Sequence, residues 1–313
     1  MTNIFLLKLS LHLGILKENI QKEEAKMNVI DLHVHSNCSD GTLSPAELAA
    51  YALKKKLAAI ALTDHDTIDG LEELFSAANG TGLEVISGIE FSTEFHGKDV
   101  HIVGLDFDYK LPEFCRQLTR FQNSRDIRNE KMIQLLRKEG IDITWEAMET
   151  EYPDAVWTRA HFGKFLLEHG YVKEISEAFS RYLGDDACCF IPREKVTPAQ
   201  AVRLIRLAGG IPILAHPMLY HLDEASMDEL ITGLKKEGLI GIEALYSTYS
   251  AEDEAHVRML AERHGLCLSG GSDFHGSTKP NIDLGVGKGN LKVPYTFLEE
   301  LRMACCREQE AKG

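Results

Sequence analysis

Seven short apolar runs, at residues 29–35, 58–64, 83–91, 99–107, 210–216, 239–246 and 266–272, alternate along the chain with segments of helical periodicity. Runs of this length suit strands buried on both faces. Their alternation with helices is the pattern of repeated β-α units winding a parallel sheet. Several helix starts are explicit. Ser44-Pro45-Ala46-Glu47 and Thr197-Pro198-Ala199-Gln200 read as capping boxes with proline at the first helical position, and Ser250 caps a helix that Gly265 ends.

The alternation breaks once, between about 108 and 190. That stretch reads as helical, with Phe114, Leu118, Phe121, Ile127, Leu135 and Leu136 on one apolar face. Residues 116–138 also carry Arg116, Arg120, Arg125, Arg128, Lys131, Arg137 and Lys138 against only Asp126 and Glu130. Residues 108–190 are therefore expected to form a helical insertion over a main domain built from 27–107 and 191–313. Residues 1–26 stand apart. Their apolar stretch from Ile4 to Leu16 has neither a basic segment before it nor a cleavage site after it, so it makes a poor signal peptide. They read as an appended amphipathic helix or as the product of a start upstream of the true one, since the first strand begins directly after Met27.

Composition narrows the function classes. With 313 residues and a net charge of −14, the chain suits one large domain and argues against an extended basic groove for nucleic-acid polymers. Short strands and nucleotides stay open. No run is long and apolar enough for a membrane helix. The cysteine count is odd, at seven, and includes the neighbours Cys188–Cys189 and Cys305–Cys306, which points to reduced thiols and a cytoplasmic setting.

The strand ends carry the chemistry. The first run closes with His33-Val34-His35, followed by Ser39-Asp40-Gly41; the second closes with Asp64-His65-Asp66. Glu90 follows the third run and His101 lies early in the fourth. The fifth ends Ala215-His216-Pro217 and the seventh Ser272-Asp273-Phe274-His275. Residues two apart on a strand share a face, so His33 pairs with His35, and Asp273 with His275. A parallel barrel gathers the C-terminal ends of its strands at one rim. Singly, each of these residues has an ordinary explanation: a solvated strand pair, a core histidine, a salt-bridge partner, or, for Asp66, a helix cap. Together, six histidines and three carboxylates from six strands exceed what one ion takes and suit two or three divalent ions bridged by a carboxylate such as Glu90. Histidine and carboxylate donors accept manganese, iron and zinc alike.

These motifs resemble the polymerase and histidinol phosphatase (PHP) superfamily. They are Asp31-Leu32-His33-Val34-His35-Ser36, Ser39-Asp40-Gly41, Leu62-Thr63-Asp64-His65-Asp66-Thr67, Gly88-Ile89-Glu90, His101, Ala215-His216-Pro217 and Gly271-Ser272-Asp273-Phe274-His275. Thr158-Arg159-Ala160-His161-Phe162-Gly163 is similar to a mark of the branch holding bacterial 3′,5′-nucleoside bisphosphate phosphatases and 5′–3′ exoribonucleases. The resemblance implies a distorted seven-stranded TIM-like barrel. It implies one ion on His33, His35, Glu90 and Asp273, a second on Glu90, His101 and His216, and a third on Asp40, His65 and His275. Cys38 departs from the expected small or hydroxylated residue; it reads as a neutral buried thiol rather than a ligand.

Arg159, Arg125 and Arg128 are candidates to hold substrate phosphate, because a guanidinium fork matches phosphate oxygens. His161 and Lys164 share the motif and read equally as packing residues. The implied activity is metal-dependent hydrolysis of a nucleotide phosphomonoester, with exonucleolytic action on short single-stranded RNA as an extension. Histidinol-phosphate phosphatase and a non-catalytic PHP module are the rivals.

Overall fold

In the computed structural model, which describes residues 28–153, 155–191 and 196–310 apart from the side chains at 124 and 125, each of the seven runs contains a strand. They are β1 (Val29–Val34), β2 (Ala59–Leu62), β3 (Glu84–Phe95), β4 (Lys98–Leu105), β5 (Ile211–Leu214), β6 (Gly241–Tyr246) and β7 (Cys267–Gly271). A short eighth strand, β8 (Val293–Pro294), lies antiparallel to β1. The leader 1–26 and the side chain of Arg125 lie outside the described residues.

The sheet runs β7-β6-β5-β4-β3-β2-β1-β8 and curls into a nearly closed barrel. Its two sides meet where Asp273 N donates to His33 O at 2.8 Å and His35 N to Phe274 O at 2.9 Å. Gly271 makes that seam possible: a Cβ there would lie 2.3 Å from His33 Cβ, so no larger residue fits. The sheet is mixed rather than parallel throughout. His96 and Gly97, both at positive φ, form a two-residue turn that folds β4 back antiparallel on β3, and β4 is antiparallel to β5 as well. This reversal puts the beginning of β4, not its end, at the rim where the other strands finish.

The helices are α1 (Pro45–Lys55), α2 (Leu71–Ala78), α3 (Pro112–Lys138), α4 (Trp145–Glu151), α5 (Arg159–Glu168), α6 (Ile175–Ala178), α7 (Pro198–Leu207), α8 (Glu224–Glu237), α9 (Ala251–His264) and α10 (Thr296–Glu310). The capping boxes at Ser44 and Thr197 form as expected, Ser250 builds a third with Asp253, and Gly265 ends α9 in the left-handed conformation. Such caps each contribute about 1 kcal/mol. Asp66 does not cap α2. That helix starts after Gly70, and Asp66, itself at positive φ, accepts the amide of Ser92 at 3.1 Å.

Alternation along the strands divides the core. Ile60 and Leu62 pack with Leu48, Ala52, Leu71 and Leu74 of α1 and α2, whereas Ala59 and Ala61 pack with Val103, Ile213 and Ala215, and with Leu298 and Leu301 of α10. A separate cluster holds Met132, Leu136, Ile143, Phe162, Phe165, Leu166 and Leu183. Helix α3 joins the two: Phe114 and Leu118 sit in the barrel cluster, Met132 and Leu136 in the other. Ile127, expected on the apolar face, is 56% exposed. It stands nine residues beyond Leu118, which at about 100° per residue is the opposite side of the helix.

Candidate metal centre

Each site residue is placed by a local device at the rim. His33 projects from the end of β1, His35 from just past it, and Glu90 from mid-β3. His101 comes from early β4, where its register partner is Ser92. His216 and Asp273 sit just past β5 and β7, at φ of 24° and 55°. Non-glycine residues rarely adopt that backbone, and the strain there aims both side chains inward. Asp40 arrives on a tight loop whose Gly41 lies against the carbonyl of His35; a Cβ at 41 would be 2.4 Å from that oxygen.

The nine side chains named from the sequence stand together. His35, Asp40, His65 and His275 offer donor atoms within 4.8 Å of one another. So do His33, Glu90 and His216; His33, His35 and Asp273; and His65, Glu90 and His101. Glu90 is central. One of its oxygens faces His101 Nδ1 at 2.8 Å and His216 Nε2 at 3.0 Å; the other faces His33 Nε2, His35 Nε2 and His65 Nδ1 at 3.2 to 3.3 Å. That second oxygen, Oε2, is buried, with no hydrogen bond of good geometry despite three ring nitrogens around it. A buried carboxylate oxygen so placed is costly unless a cation sits among the nitrogens, so the donor set fits divalent ions.

Electrostatics agree. Burial alone would raise every carboxylate and lower every imidazole. Yet the rings of His275 and His65 hold Asp40 well below the usual carboxylate range against its burial, and His33 and His101 do the same for Glu90. His33 is lowered by burial but lifted well above its ordinary value by Glu90 and Glu243. His35, also opposed by burial, rises to about 9 beside Asp273 and Glu90. His65, by contrast, is held well below its ordinary value by burial, so it is the raised rings of His33 and His35 that carry protons a bound cation would replace.

Three supporting carboxylates were not assigned such roles from the sequence. Glu243 on β6, the one run without an assigned ligand, accepts from His33 Nδ1 at 3.1 Å and from the amide of His216 at 2.8 Å. A charged residue inside an otherwise apolar strand was the available signal. Asp31 binds the amides of Ser272 and Gly285 at 2.8 Å and pins β1 to the far side of the barrel; burial raises its pKa to about 6. Asp64 accepts from Ser36 and Ser39 and fixes the loop that carries Asp40. Asp273 is itself divided. Its Oδ1 faces the imidazoles, while Tyr246 and Lys279 donate to Oδ2 at 2.5 and 2.6 Å. Cys38 is a neutral thiol, pushed up to about 11 by burial.

Partners that orient ligating histidines are worth about ten- to a hundredfold in metal affinity. The Glu243→Gln protein is expected to weaken divalent-ion binding by that order while keeping its fold, as read by metal titration and circular dichroism. Unaltered affinity would show Glu243 to be a packing residue only.

The segment 108–190 reaches the centre directly. Thr158, which caps α5 in a box with His161, places its hydroxyl 3.3 Å from Asp40 Oδ2. Arg128, 8% exposed, and Arg159 line a cavity of about 190 Å³ together with Asp40, His65, His101, Phe190 and Ile191. The Arg159 guanidinium is paired with Asp99, with Asp185 at 2.8 Å and with the carbonyl of Leu183 at 3.2 Å. His161 is buried in its capping role, whereas Lys164 stays half-exposed.

Comparison with known proteins accords with this geometry. The model of the PHP domain matches residues 31–185. A 5′-3′ exoribonuclease of Haemophilus influenzae is 36% identical over 248 residues, 78% of this chain and 89% of its own. A 3′,5′-nucleoside bisphosphate phosphatase of Chromobacterium violaceum is 34% identical over 258 residues, 82% of this chain and 90% of its own. A crystal structure of a candidate metal-dependent phosphoesterase from Bifidobacterium adolescentis superposes with a TM-score of 0.78 at 25% identity, covering 88% of this chain and 96% of that one. The chain belongs to the PHP domain family.

Proposed function

We propose that the protein hydrolyses nucleotide phosphomonoesters of the 3′,5′-bisphosphate type, with action on short 5′-phosphorylated RNA as an extension. The observation that carries this is the nine-donor cluster opening into a cavity walled by two arginines. Two or three divalent ions, held by His33, His35, Glu90 and Asp273, by Glu90, His101 and His216, and by Asp40, His65 and His275, would neutralise charge on the phosphoryl group during in-line attack. The chain's own residues do the rest. Arg128 and Arg159 hold the phosphate that is not attacked, and Phe190 and Ile191 give the base an apolar wall that excludes water. Segment 108–190 acts as the covering lobe. Histidinol phosphate has no second phosphate to engage two arginines, which disfavours it as substrate.

The seven cysteines are all unbridged, which supports a reducing, cytoplasmic setting, and no described helix is long and apolar enough to cross a membrane. The test is a substrate panel with manganese-, iron- or zinc-reconstituted enzyme: nucleoside bisphosphates, mononucleotides, histidinol phosphate and 5′-phosphorylated oligoribonucleotides. Bisphosphates are expected to have the highest kcat/KM. Histidinol phosphate ranking first, or no turnover on any ester, would overturn the reading.

A further inference from the structure

A second cavity, of about 250 Å³, lies beyond Asp40 from the arginines. Thr42 and Thr278 line it from the barrel rim, Tyr152 and Lys164 from the helical segment. It shares two residues with the arginine-walled cavity, Asp40 and Ala160, so the two spaces flank one metal-ligand loop where that loop meets the start of α5. The second cavity has a different chemistry. Its wall is an aromatic ring, with the Lys164 ammonium 5.4 Å from the centre of Tyr152 and the edge of His161 against the same ring. Among the described residues, Lys164 has one long contact to a carboxylate, Glu168 at 3.8 Å, in a chain of net charge −14.

A mononucleotide bisphosphate, with one phosphate on the arginines and the other at the metal cluster, needs only the first cavity. A substrate that fills both must carry a further group on the phosphorus under attack. We infer that the second cavity is the subsite for the nucleoside attached to that phosphorus, with Tyr152 and Lys164 as its specificity-determining residues. This rests on the function proposed above and gives the side of its substrate beyond the attacked phosphorus a place in the fold. The chemistry is the same for both. Water oxygen bonds to phosphorus, the P–O3′ bond breaks, and O3′ leaves with the electron pair and takes up a proton. Inorganic phosphate is released when the phosphorus carries nothing else, and a 5′-phosphorylated remainder when it carries the next nucleoside. Tyr152 supplies a stacking surface for that nucleoside's base, and Lys164 a charge for the phosphate after it.

The test compares adenosine 3′,5′-bisphosphate with 5′-phosphorylated diadenylate and its trimer, on metal-reconstituted wild-type, Tyr152→Leu and Lys164→Glu proteins. For Tyr152→Leu, the ratio of kcat/KM on the dimer to kcat/KM on the bisphosphate is expected to fall about tenfold. For Lys164→Glu, the same fall is expected for the trimer relative to the bisphosphate. A ratio within twofold of wild type in both variants overturns the subsite, and Lys164→Glu alone decides if Tyr152→Leu does not fold. A binding measurement separates the two proposals. A dimer with 2-aminopurine as its second base should lose fluorescence on binding the metal-free wild-type protein and keep it with Tyr152→Leu. Turnover of the bisphosphate without this quenching leaves the phosphatase reading intact and removes the subsite. Quenching without turnover of either substrate keeps the subsite and removes the phosphatase reading.

Discussion

Asp273→Asn protein is expected to fold normally and to lose turnover by about a thousandfold or more, with a fall in bound metal per chain. Asparagine is the informative replacement. Asp273 stands at φ 55°, a conformation asparagine tolerates better than alanine, so the change removes a charge without adding backbone strain. It takes the anionic oxygen from between His33, His35 and His275, which lie 3.3 to 3.6 Å away. It also separates Lys279 from its counter-charge. Elemental analysis of wild-type protein purified without chelator should find two or three transition-metal ions, and prolonged chelation should abolish activity until metal is restored. Full activity in Asp273→Asn would sink the assignment of this cluster as the catalytic centre.

Arg159→Ala is expected to lower kcat/KM on a nucleoside bisphosphate by about ten- to more than a hundredfold with normal metal content, since a lost charge-assisted phosphate contact costs about 1.5–3 kcal/mol. The guanidinium is only 19% exposed and is already held by Asp99 and Asp185. Asp185 is the more exposed of the two, at 49% against 34%, and is the partner that a phosphate would displace. The loss on p-nitrophenyl phosphate should be smaller if Arg159 reads the second phosphate, and equal if it holds the reacting one. Unaltered kinetics on every ester, accompanied by a lower Tm, would make Arg159 a clamp between the helical segment and β4.

Much of the barrel was legible because its strands are short, apolar and bounded by caps that act locally: Ser44, Thr197 and Ser250 each need only the next three residues. The clustering of the candidate ligands was legible for a similar reason, since histidines and carboxylates at strand ends are conspicuous wherever those strands go. The reversal of β4 was not. It depends on a two-residue turn at His96-Gly97 that lacks the asparagine or aspartate commonly found in such turns. Glu243 was hidden because its role exists only once β6 brings it under His33, a contact across 210 positions of sequence. Ile127 was misplaced because one periodicity was extended through a helix that changes packing partners midway. The pairing of Arg159 was equally invisible, because Asp99 and Asp185 lie on other elements.

The seam at Gly271 sets an order on how the protein comes into being. The donors divide between an early block, His33 to His101, and a late one, His216 to His275, which meet where β5 pairs with β4 and again where the last long strand reaches the first. A ribosome must therefore release nearly the whole barrel before the donors His33, His35, Glu90 and Asp273 can all come together. Such distant contacts are slow to form, because the chain entropy of the intervening loop is lost before the contact is gained. Divalent ions, by binding across the seam, would favour the closed barrel over its open precursor. Metal supply would then bear on the yield of folded protein during synthesis, before it bears on any rate of catalysis.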